Sequence, residues 1–582
     1  MYDKFPFVRV SNTSEDCQIG WTEISATIRN RCPDGKGIVC VECYPGVLLD
    51  SLCIGLGTAL SPGRIVRAED CYLTEPELEP KVHPLLTDDP VFGRMNDFSI
   101  ADFLDMEKVG RKTREIGGAQ GELVLIVGTG ATLIAPRWDV LIYADLARWE
   151  IQQRQRRGII ANIGIDNLNQ SPSLKYKRGF FLDWRAADRL KRTLLFKIDF
   201  LLDTHISETP KLITGLSLRA GLDAAVRRPF RVVPFFDPGP WGGHWMEEVC
   251  DLPRDVPNHA WCFDCVPEEN SLLLGFGDQR VEIPAIDLVL MHPRPLLGEA
   301  IESRFGAEFP IRFDFLDTMG GGNLSLQVHP REQYIREAFG MTYTQDESYY
   351  ILDAREDACV YLGLREDTDA ASMLSELKAS ERFESPDFNA ERFVNKFPAR
   401  KHDHFLIPAG TVHCSGRNSM VLEISATPFI FTFKLWDWAR PGLDGKPRPI
   451  HLHHGAANIC WDRRTEWVTR SLINRVDAIA SGEGWREERT GLHETEFIET
   501  RRHWFSSTVL HDTNETVNVL NLVEGEQAIV ESPTGAFEPF EVHYAETFII
   551  PAAVGPYTIR PLISGQAKQT ECATIKAFVR KT

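Results

Sequence analysis

The sequence predicts a multidomain protein: an N-terminal α/β domain with a mainly parallel sheet, then an all-β part with two jelly-roll barrels and a helical insert. Three observations predict this. The chain has 582 residues, about twice the length at which a single hydrophobic core stops growing. Apolar strands alternate with helical stretches up to about residue 215, whereas short strands with frequent Gly and Pro follow residue 228. A strand-and-turn pattern in the middle of the chain also recurs near its end.

Four apolar segments predict the strands of the N-terminal domain, which we expect to span 1–215. A stretch with helical spacing separates most of them from the next. This alternation is typical of βαβ units, in which the strands run parallel. The four segments are GIVCVE (37–42), GRIVRAE (63–69), GELVLIVG (121–128) and DVLIYADL (139–146).

The all-β part is predicted to consist of two domains, at 228–480 and 481–582. Runs such as HFLIPAGTVHCSG and PFIFTFKLWDW are typical of the short strands and turns of jelly-roll barrels. A helical pattern at 366–398 interrupts the first of these domains. We therefore expect a helical insert there.

The two barrels are predicted to be copies of one another. TFIIPAAVGPYTI near the end of the chain repeats the pattern of HFLIPAGTVHCSG, and such self-similarity indicates an internal duplication. His413 of the first copy corresponds to a stretch with Gly555, Pro556 and Tyr557 in the second, where no ligand residue stands. The second barrel is therefore predicted to be structural and free of metal.

Composition excludes several classes of function. A formal net charge of −19 argues against a nucleic-acid partner, which requires clustered Lys and Arg. The first residues lack the basic and apolar pattern of a secretory signal, so we expect none, and no stretch approaches the roughly 18 apolar residues of a membrane span. We expect a cytoplasmic protein with no membrane partner, in which the 13 cysteines are mostly reduced. The oligomeric state stays open, and a homo-oligomer is compatible with the sequence.

Four residues are candidates for one metal site. Gln327 and His329 end the strand LSLQVHP, and residues two apart on a strand project from the same face. Glu347 opens the strand ESYYILDA, and His413 follows the Pro-Ala-Gly turn of PAGTVHCSG. A lone histidine near a strand end is more often a hydrogen-bonded core residue. Together, however, the mixed nitrogen and oxygen ligands suit Zn²⁺ or a similar divalent ion at the mouth of a barrel.

Six segments, WGG (241–243), LSLQVHP, DESYYILDA, PAGTVHCSG, FKLWDW and RPIHL, occur in an order that resembles class I mannose-6-phosphate isomerases of the cupin superfamily. The resemblance covers about residues 230–582. It implies a double cupin in which Gln327, His329, Glu347 and His413 bind zinc. It also implies aldose–ketose isomerisation through an enediol, with mannose 6-phosphate and fructose 6-phosphate as the default pair. A Lewis acid near the sugar oxygens and a proton-carrying base serve this chemistry.

Three polar positions depart from the pattern of that family. Asp314 and Gln345 stand where the family has lysine, and Lys434 replaces an arginine. Lys434 keeps the positive charge but loses the bidentate guanidinium. We expect Lys434 to stabilise charge on the substrate, and Asp314, Gln345 and Arg448 to contact the substrate.

These departures leave the substrate open. Two lost positive charges and one gained negative charge would weaken the binding of a sugar phosphate, unless basic residues such as Arg440 or Arg448 offset them. Isomerisation of an unphosphorylated or otherwise substituted sugar is one alternative. A non-catalytic sugar sensor is the other.

The N-terminal domain resembles the uridine kinase and phosphoribulokinase group in the order of DDPVFGRM, GELVLIVGTGATLI and DVLIYADLARWEIQQRQRRG. A working P-loop reads GxxxxGK[ST], in which the Lys reaches the β and γ phosphates and the hydroxyl binds Mg²⁺. The turn here reads CYPGVLLD and has neither residue in place. We predict a degenerate P-loop kinase-like domain that acts in assembly, in regulation or as a cover, with residual nucleotide or phosphosugar binding as the alternative. Asp88, Asp89 and Asp145 are predicted to be caps or exposed loop residues.

Overall fold

The chain forms two compact units in the computed structural model, which describes residues 1–10, 17–119, 121–381, 388–446, 448–491, 493, 496–562 and 571–581. The α/β unit comprises Phe7–Ala225 and Pro267–His292. The β-rich unit comprises Met1–Pro6, Val226–Val266 and Pro293–Thr582. Pro267–His292 lies in the range predicted for the first barrel domain, yet it packs with the α/β unit. Each unit is therefore assembled from separate stretches of the chain.

The α/β unit contains a seven-stranded sheet with five parallel strands. In chain order these five lie 2-3-1-4-5 across the sheet. At one edge Lys211–Thr214 pairs antiparallel with the fifth, and Cys17–Ile19 pairs antiparallel with Lys211–Thr214. The central strands are buried along their whole length, as expected for apolar runs in a parallel sheet. The predicted parallel sheet is confirmed. From edge to edge the strands are Arg64–Arg67, Leu123–Gly128, Gly37–Cys43, Val140–Asp145, Phe200–Asp203, Lys211–Thr214 and Cys17–Ile19.

Helices connect these strands, and a small sheet of Phe7–Arg9, Ser271–Phe276 and Gln279–Pro284 joins the same unit. Glu75–Leu86 begins with a capping box, in which Thr74 and Glu77 bond each other's backbone N–H groups. The α-helices are Gly20–Arg31, Leu49–Leu60, Glu75–Leu86, Met106–Gly117, Ala131–Ile134, Arg148–Arg156, Pro172–Arg178, Trp184–Leu194, Gly215–Ala225 and Ile286–Met291. Shorter helical turns are Pro33–Gly35, Ala68–Cys71, Ile100–Phe103 and the π-helical Gly179–Asp183.

The prediction for Asp145 is wrong. This residue was expected to be a cap or an exposed loop residue, but it ends a buried strand and is 1% exposed. Its Oδ2 lies 2.7 Å from Nζ of Lys191, which also lies 2.6 Å from Oδ1 of Asp287. Periodicity did not reveal the residue's role because its partner lies 46 positions further along the chain.

The β-rich unit contains two pairs of antiparallel sheets. No sheet among the described strands closes on itself, so each expected barrel is a pair of open sheets. The first pair combines His404–Ile407, Glu347–Ala354, Ser419–Ala426, Ile311–Asp317, Trp261–Cys265 and Phe235–Asp237 with Val394–Pro398, Cys359–Leu364, His413–Ser415, Leu326–Val328 and Phe433–Trp436. The second pair combines Asp477–Gly482, Trp485–Gly491, Ile498–Phe505, Cys572–Val579, Asn518–Glu524 and Thr547–Ile550 with Val509–Asp512, Pro556–Pro561, Gln527–Glu531 and Phe540–His543.

Helices of this unit include the predicted insert at 366–398. Ala370–Glu381 and Ala390–Phe393 are helical, positions 382–387 lie outside the described residues, and Val394–Pro398 is an edge strand paired with Cys359–Leu364. The other helices are Trp245–Val249, Pro293–Leu297, Glu299–Phe305, Glu332–Phe339, Leu452–Asn458, Thr465–Ser471 and the 3₁₀ turn Ala552–Val554. Across the described ranges of both units, no helix combines the length and apolar character needed to cross a membrane.

Candidate metal and substrate site

His329, Glu347 and His413 meet between the two sheets of the first pair. His329 follows Leu326–Val328 and His413 begins its own strand, both in the smaller sheet, whereas Glu347 begins a strand of the larger sheet. Nε2 of His329 lies 3.1 Å from Oε2 of Glu347, and Nε2 of His413 lies 2.7 Å from Oε1 of the same carboxylate. One ligand atom from each residue lies within 4.8 Å of the others, and all three residues are buried. Strands distant in sequence thus bring three predicted ligands to one point.

Backbone carbonyls orient both imidazoles of this cluster. Nδ1 of His413 lies 2.8 Å from the Thr411 carbonyl oxygen, and Nδ1 of His329 lies 3.4 Å from that of Phe431. A carbonyl oxygen only accepts, so each Nδ1–H donates and each Nε2 lone pair faces Glu347. In this tautomer the two Nε2 atoms carry no proton. Their lone pairs and the negative carboxylate of Glu347 therefore repel one another unless a cation lies between them. The donor set therefore fits a divalent ion such as Zn²⁺.

Gln327 is the fourth predicted ligand and lies beside the other three. It is the register partner of His413, and its amide nitrogen lies 3.3 Å from Nε2 of that histidine. Rotating the Gln327 side-chain amide by 180° exchanges its nitrogen and oxygen, so that the oxygen takes the position near Nε2 of His413. All four residues predicted to bind the metal are therefore adjacent.

Glu347 carries its negative charge at the centre of the cluster. Burial alone would raise the pKa of this carboxyl group. Protonated imidazoles at His329 and His413 outweigh burial and hold the pKa well below its ordinary value, and a cation that replaces their Nε2 protons acts in the same direction. Gln345 supports this carboxylate, because its amide donates to Oε2 of Glu347 at 3.1 Å. Gln345, predicted to contact substrate, thus contacts a predicted metal ligand.

Asp314, the second predicted substrate contact, lies in a buried acidic pair. It faces Glu423 across the larger sheet, and Oδ2 of Asp314 lies 3.4 Å from Nη2 of Arg312. Nη1 of the same arginine lies 4.0 Å from Oε1 of Glu423. Burial raises the pKa of both carboxyl groups. Glu347 raises both further, Asp314 also raises that of Glu423, and Arg312 lowers both. The charge of Asp314 is therefore compensated within the sheet by Arg312.

Glu423, Arg312 and Tyr349 were not singled out from the sequence. Glu423 had a visible signal, because it is the one charged residue in the buried strand SMVLEISA. The Tyr349 hydroxyl is buried and forms no hydrogen bond within the described part of the chain, and its ring lies 5.9 Å from that of His413. The sequence gives no signal that Tyr349 belongs to the site, because aromatic residues are common in apolar strands.

Lys434 supplies positive charge beside the predicted ligand Gln327, and Arg440 and Arg448 are close enough to Lys434 to influence its pKa. Lys434 is the register partner of Gln327. Arg440 and Arg448 both pair with Asp437, at 2.8 and 2.5 Å, and line a cavity of about 290 Å³. The Lys434 ammonium forms no hydrogen bond to any described residue. Burial, followed by the nearby Arg448, lowers the pKa of Lys434 to about 8.

The second sheet pair repeats the geometry of the first without its ligands. Gln327 pairs with His413 in the first, and His511 pairs with Tyr557 in the second. Glu347 of the first lies opposite an isoleucine of the FLIPA strand, and Asn518 lies opposite the isoleucine of the FIIPA strand. The Tyr557 hydroxyl donates to Oδ1 of Asn518 at 3.0 Å. A neutral hydrogen-bonded pair thus stands where the first copy has an imidazole and a carboxylate.

Comparisons with known proteins divide the chain in a similar way. Residues 20–227 match a family model described as "Domain of unknown function (DUF8485)". The probable mannose-6-phosphate isomerase GmuF of Bacillus subtilis is 25% identical over 254 residues, which are 44% of this chain and 73% of that protein. The mannose-6-phosphate isomerase of Streptococcus mutans is 26% identical over 214 residues, 36% of this chain and 61% of that protein. This homology lies in the C-terminal region.

Solved structures show the same kind of neighbour. The crystal structure of the mannose 6-phosphate isomerase from Bacillus subtilis aligns with a TM-score of 0.48 at 18% identity, over 60% of this chain and 99% of that one. A mannose 6-phosphate isomerase bound with zinc and yttrium also aligns. The family model matched by the N-terminal region carries no kinase description. The resemblance to uridine kinases and phosphoribulokinases therefore stays a prediction.

Proposed function

We propose that this protein is a metal-dependent aldose–ketose isomerase that interconverts mannose 6-phosphate and fructose 6-phosphate through an enediol. The observation that carries the proposal is the convergence of His329, Glu347 and His413, with Gln327 beside them, on one buried point. The relatives named as mannose-6-phosphate isomerases support the choice of sugar pair.

We further propose that the two pairs of open sheets are cupin-type modules, at 228–480 and 481–582, and that the second holds no metal. The duplicated registers support this assignment. For 1–215 we propose a degenerate kinase-like domain, supported by the 2-3-1-4-5 order of its parallel strands and by the position of the turn CYPGVLLD after the first of them. Its role would be in assembly, in regulation or as a cover.

Gln327, His329, Glu347 and His413 would hold the zinc ion, which when bound supplies Lewis acidity at the sugar oxygens. The backbone carbonyls of Thr411 and Phe431 keep both imidazoles in the tautomer that this requires. Lys434 provides a point charge for an enediolate oxygen or a phosphate. Arg440 and Arg448 add positive charge nearby, although Asp437 neutralises part of it.

The decisive experiment follows interconversion by NMR with zinc-loaded protein and a panel of phosphorylated and free aldoses and ketoses. We expect turnover of mannose 6-phosphate and fructose 6-phosphate. Turnover of free sugars alone would identify Asp314, Gln345 and Lys434 as the residues that change specificity. Sugar binding without solvent exchange at C2 would contradict catalysis and support a sensor.

We expect Lys434→Met to lower kcat/KM by about 100-fold, because removing one preorganised donor to a developing oxyanion has an effect of this size. Lys434→Arg should retain most of the activity. In the wild type, kcat/KM should fall as pH rises through about 8, where Lys434 loses its proton, and the arginine variant should not show this loss. Lys446→Met, in an exposed loop, is the matched control. Equal losses in Lys434→Met and Lys446→Met would contradict the role of Lys434.

A further inference from the structure

The α/β unit contains a cavity of about 550 Å³ at the carboxyl ends of its parallel strands. Its lining comes from the ends of four parallel strands: the turn Tyr44–Leu48 after the first, Arg67 at the end of the second, Thr129 after the third, and residues 159–166 with Leu168 beyond the fourth. Open parallel sheets bind ligands at this edge, where neighbouring connections leave the sheet in opposite directions. The volume also falls within the roughly 300–1,000 Å³ of small-molecule sites.

The charges of this cavity disfavour phosphate. Arg67 is the one cationic side chain among its described lining residues, and it already pairs with Asp50 at 2.7 Å and with Glu69 at 2.6 Å. Asp166 adds a third carboxylate. Three carboxylates against one guanidinium leave the lining negative, and a phosphate placed there would be repelled.

The backbone of the turn Tyr44–Leu48 does not offset this repulsion of phosphate. Phosphate-binding turns present a series of free N–H groups to the anion. Pro45 has no N–H, and the N–H of Val47 donates to the Tyr44 carbonyl oxygen at 3.2 Å. The helix Leu49–Leu60 that follows carries Asp50 in its first turn, where the carboxylate already complements the positive end of the helix.

Five apolar side chains also line the cavity. They are Leu48, Ile159, Ile160, Ile163 and Leu168, of which Ile159 and Leu168 remain 47% and 40% exposed. A pocket with apolar side chains and a few convergent polar groups is typical of small organic ligands. A sugar ring presents C–H groups on one face and hydroxyl groups at its rim, and carboxylates accept hydrogen bonds from hydroxyls.

We propose that this cavity binds an uncharged polyhydroxylated ligand, an unphosphorylated sugar or polyol, with the ring against the isoleucines and the hydroxyls donating to Glu69, Asp50 and Asp166. Nucleotides and inorganic phosphate are excluded by the same carboxylates. This binding site is independent of the isomerase activity proposed for the other unit. It would let the α/β unit sense a free sugar without phosphorylating it.

The test is calorimetric titration of the full-length protein with D-mannose, D-fructose, mannitol and myo-inositol, and separately with inorganic phosphate, ATP and uridine. We expect binding of at least one of the four polyols. Glu69→Gln and Asp166→Asn should each weaken it by about tenfold, since each replaces a charged hydrogen-bond acceptor by a weaker, neutral one. Asp70→Asn is the matched control, because Asp70 is exposed in the same turn as Glu69 but does not line the cavity.

The signs of the effects distinguish the ligands. Glu69→Gln lowers the negative charge around Arg67, so it should weaken a polyol but strengthen a phosphate. A nucleotide or phosphate that binds the wild type and is strengthened by Glu69→Gln would overturn the proposal, as would binding of uridine alone. If Glu69→Gln and Asp166→Asn bind the polyol as well as the control Asp70→Asn does, the polyol binds outside this cavity, which would also overturn the proposal. Isomerase turnover should stay within twofold of wild type in every variant, so failure of either proposal is visible separately.

Discussion

Replacing His413 by alanine is expected to remove bound zinc and isomerase activity together, with kcat/KM at least about 100-fold lower than in the wild type. Nε2 of His413 lies 2.7 Å from Glu347, and its Nδ1–H is held by the Thr411 carbonyl, so no neighbouring group can replace it without rebuilding the turn. Loss of one ligand leaves the buried Glu347 carboxylate with a single imidazole. Metal content by mass spectrometry and turnover by NMR measure both effects on the same sample.

His453→Ala provides the matched control for this experiment. His453 is exposed on the helix Leu452–Asn458 and belongs to no metal-binding group among the described residues. It should keep metal and activity at wild-type levels. His413→Asn is a second variant that tests whether the fold survives loss of the imidazole, because asparagine is polar and closer in size to histidine than alanine is. Activity retained by a metal-free His413→Ala protein would refute the assignment of this cluster as the metal site.

Replacing Lys191 by methionine is expected to destabilise the α/β unit by about 3–5 kcal/mol, the usual cost of leaving buried charges without their partner. Lys191 is fully buried, and its ammonium lies within 2.7 Å of both Asp145 and Asp287. It also lies 4.5 Å from the ring centroid of Tyr44, where a cation is further stabilised. Denaturant unfolding, followed by a signal from this unit, measures the loss.

Arg192→Met is the control for Lys191→Met, because it also replaces a basic side chain by methionine, on the same helix but at an exposed position. We expect it to lower the free energy of unfolding by no more than about 0.5 kcal/mol. The loss in free energy of unfolding caused by Lys191→Met, called the deficit below, should depend on pH. Burial and the neighbouring Asp145 raise the pKa of Asp287, and without the lysine that pKa rises further. An acid whose pKa is raised in the folded state contributes stability that is fully present below its unfolded-state pKa and is lost as the pH rises towards its folded-state pKa.

The deficit should therefore be smaller at pH 5 than at pH 8, and adding Asp287→Asn should recover part of it at pH 8. A deficit that is the same at both values would show that lost packing, and not charge, explains the instability.

Local patterns in the sequence determined much of the fold. The alternation of apolar runs with helical stretches determined the parallel sheet, because helices that cover both faces leave no polar side to its strands. Spacing by two residues brought Gln327 and His329 onto one face of a strand. The duplicated FxIPA motif predicted two related modules, and their registers show the same pairing in both.

Only the tertiary structure decided which distant residues meet. No local signal indicates that Arg312 lies beside Glu423 or that Lys191 pairs with Asp145 and Asp287. The inclusion of Pro267–His292 in the α/β unit has no local signal either. Periodicity reports only whether a side chain is buried. The partner of a buried charge is set by which strands and helices pack together, and that depends on contacts between residues far apart in the sequence.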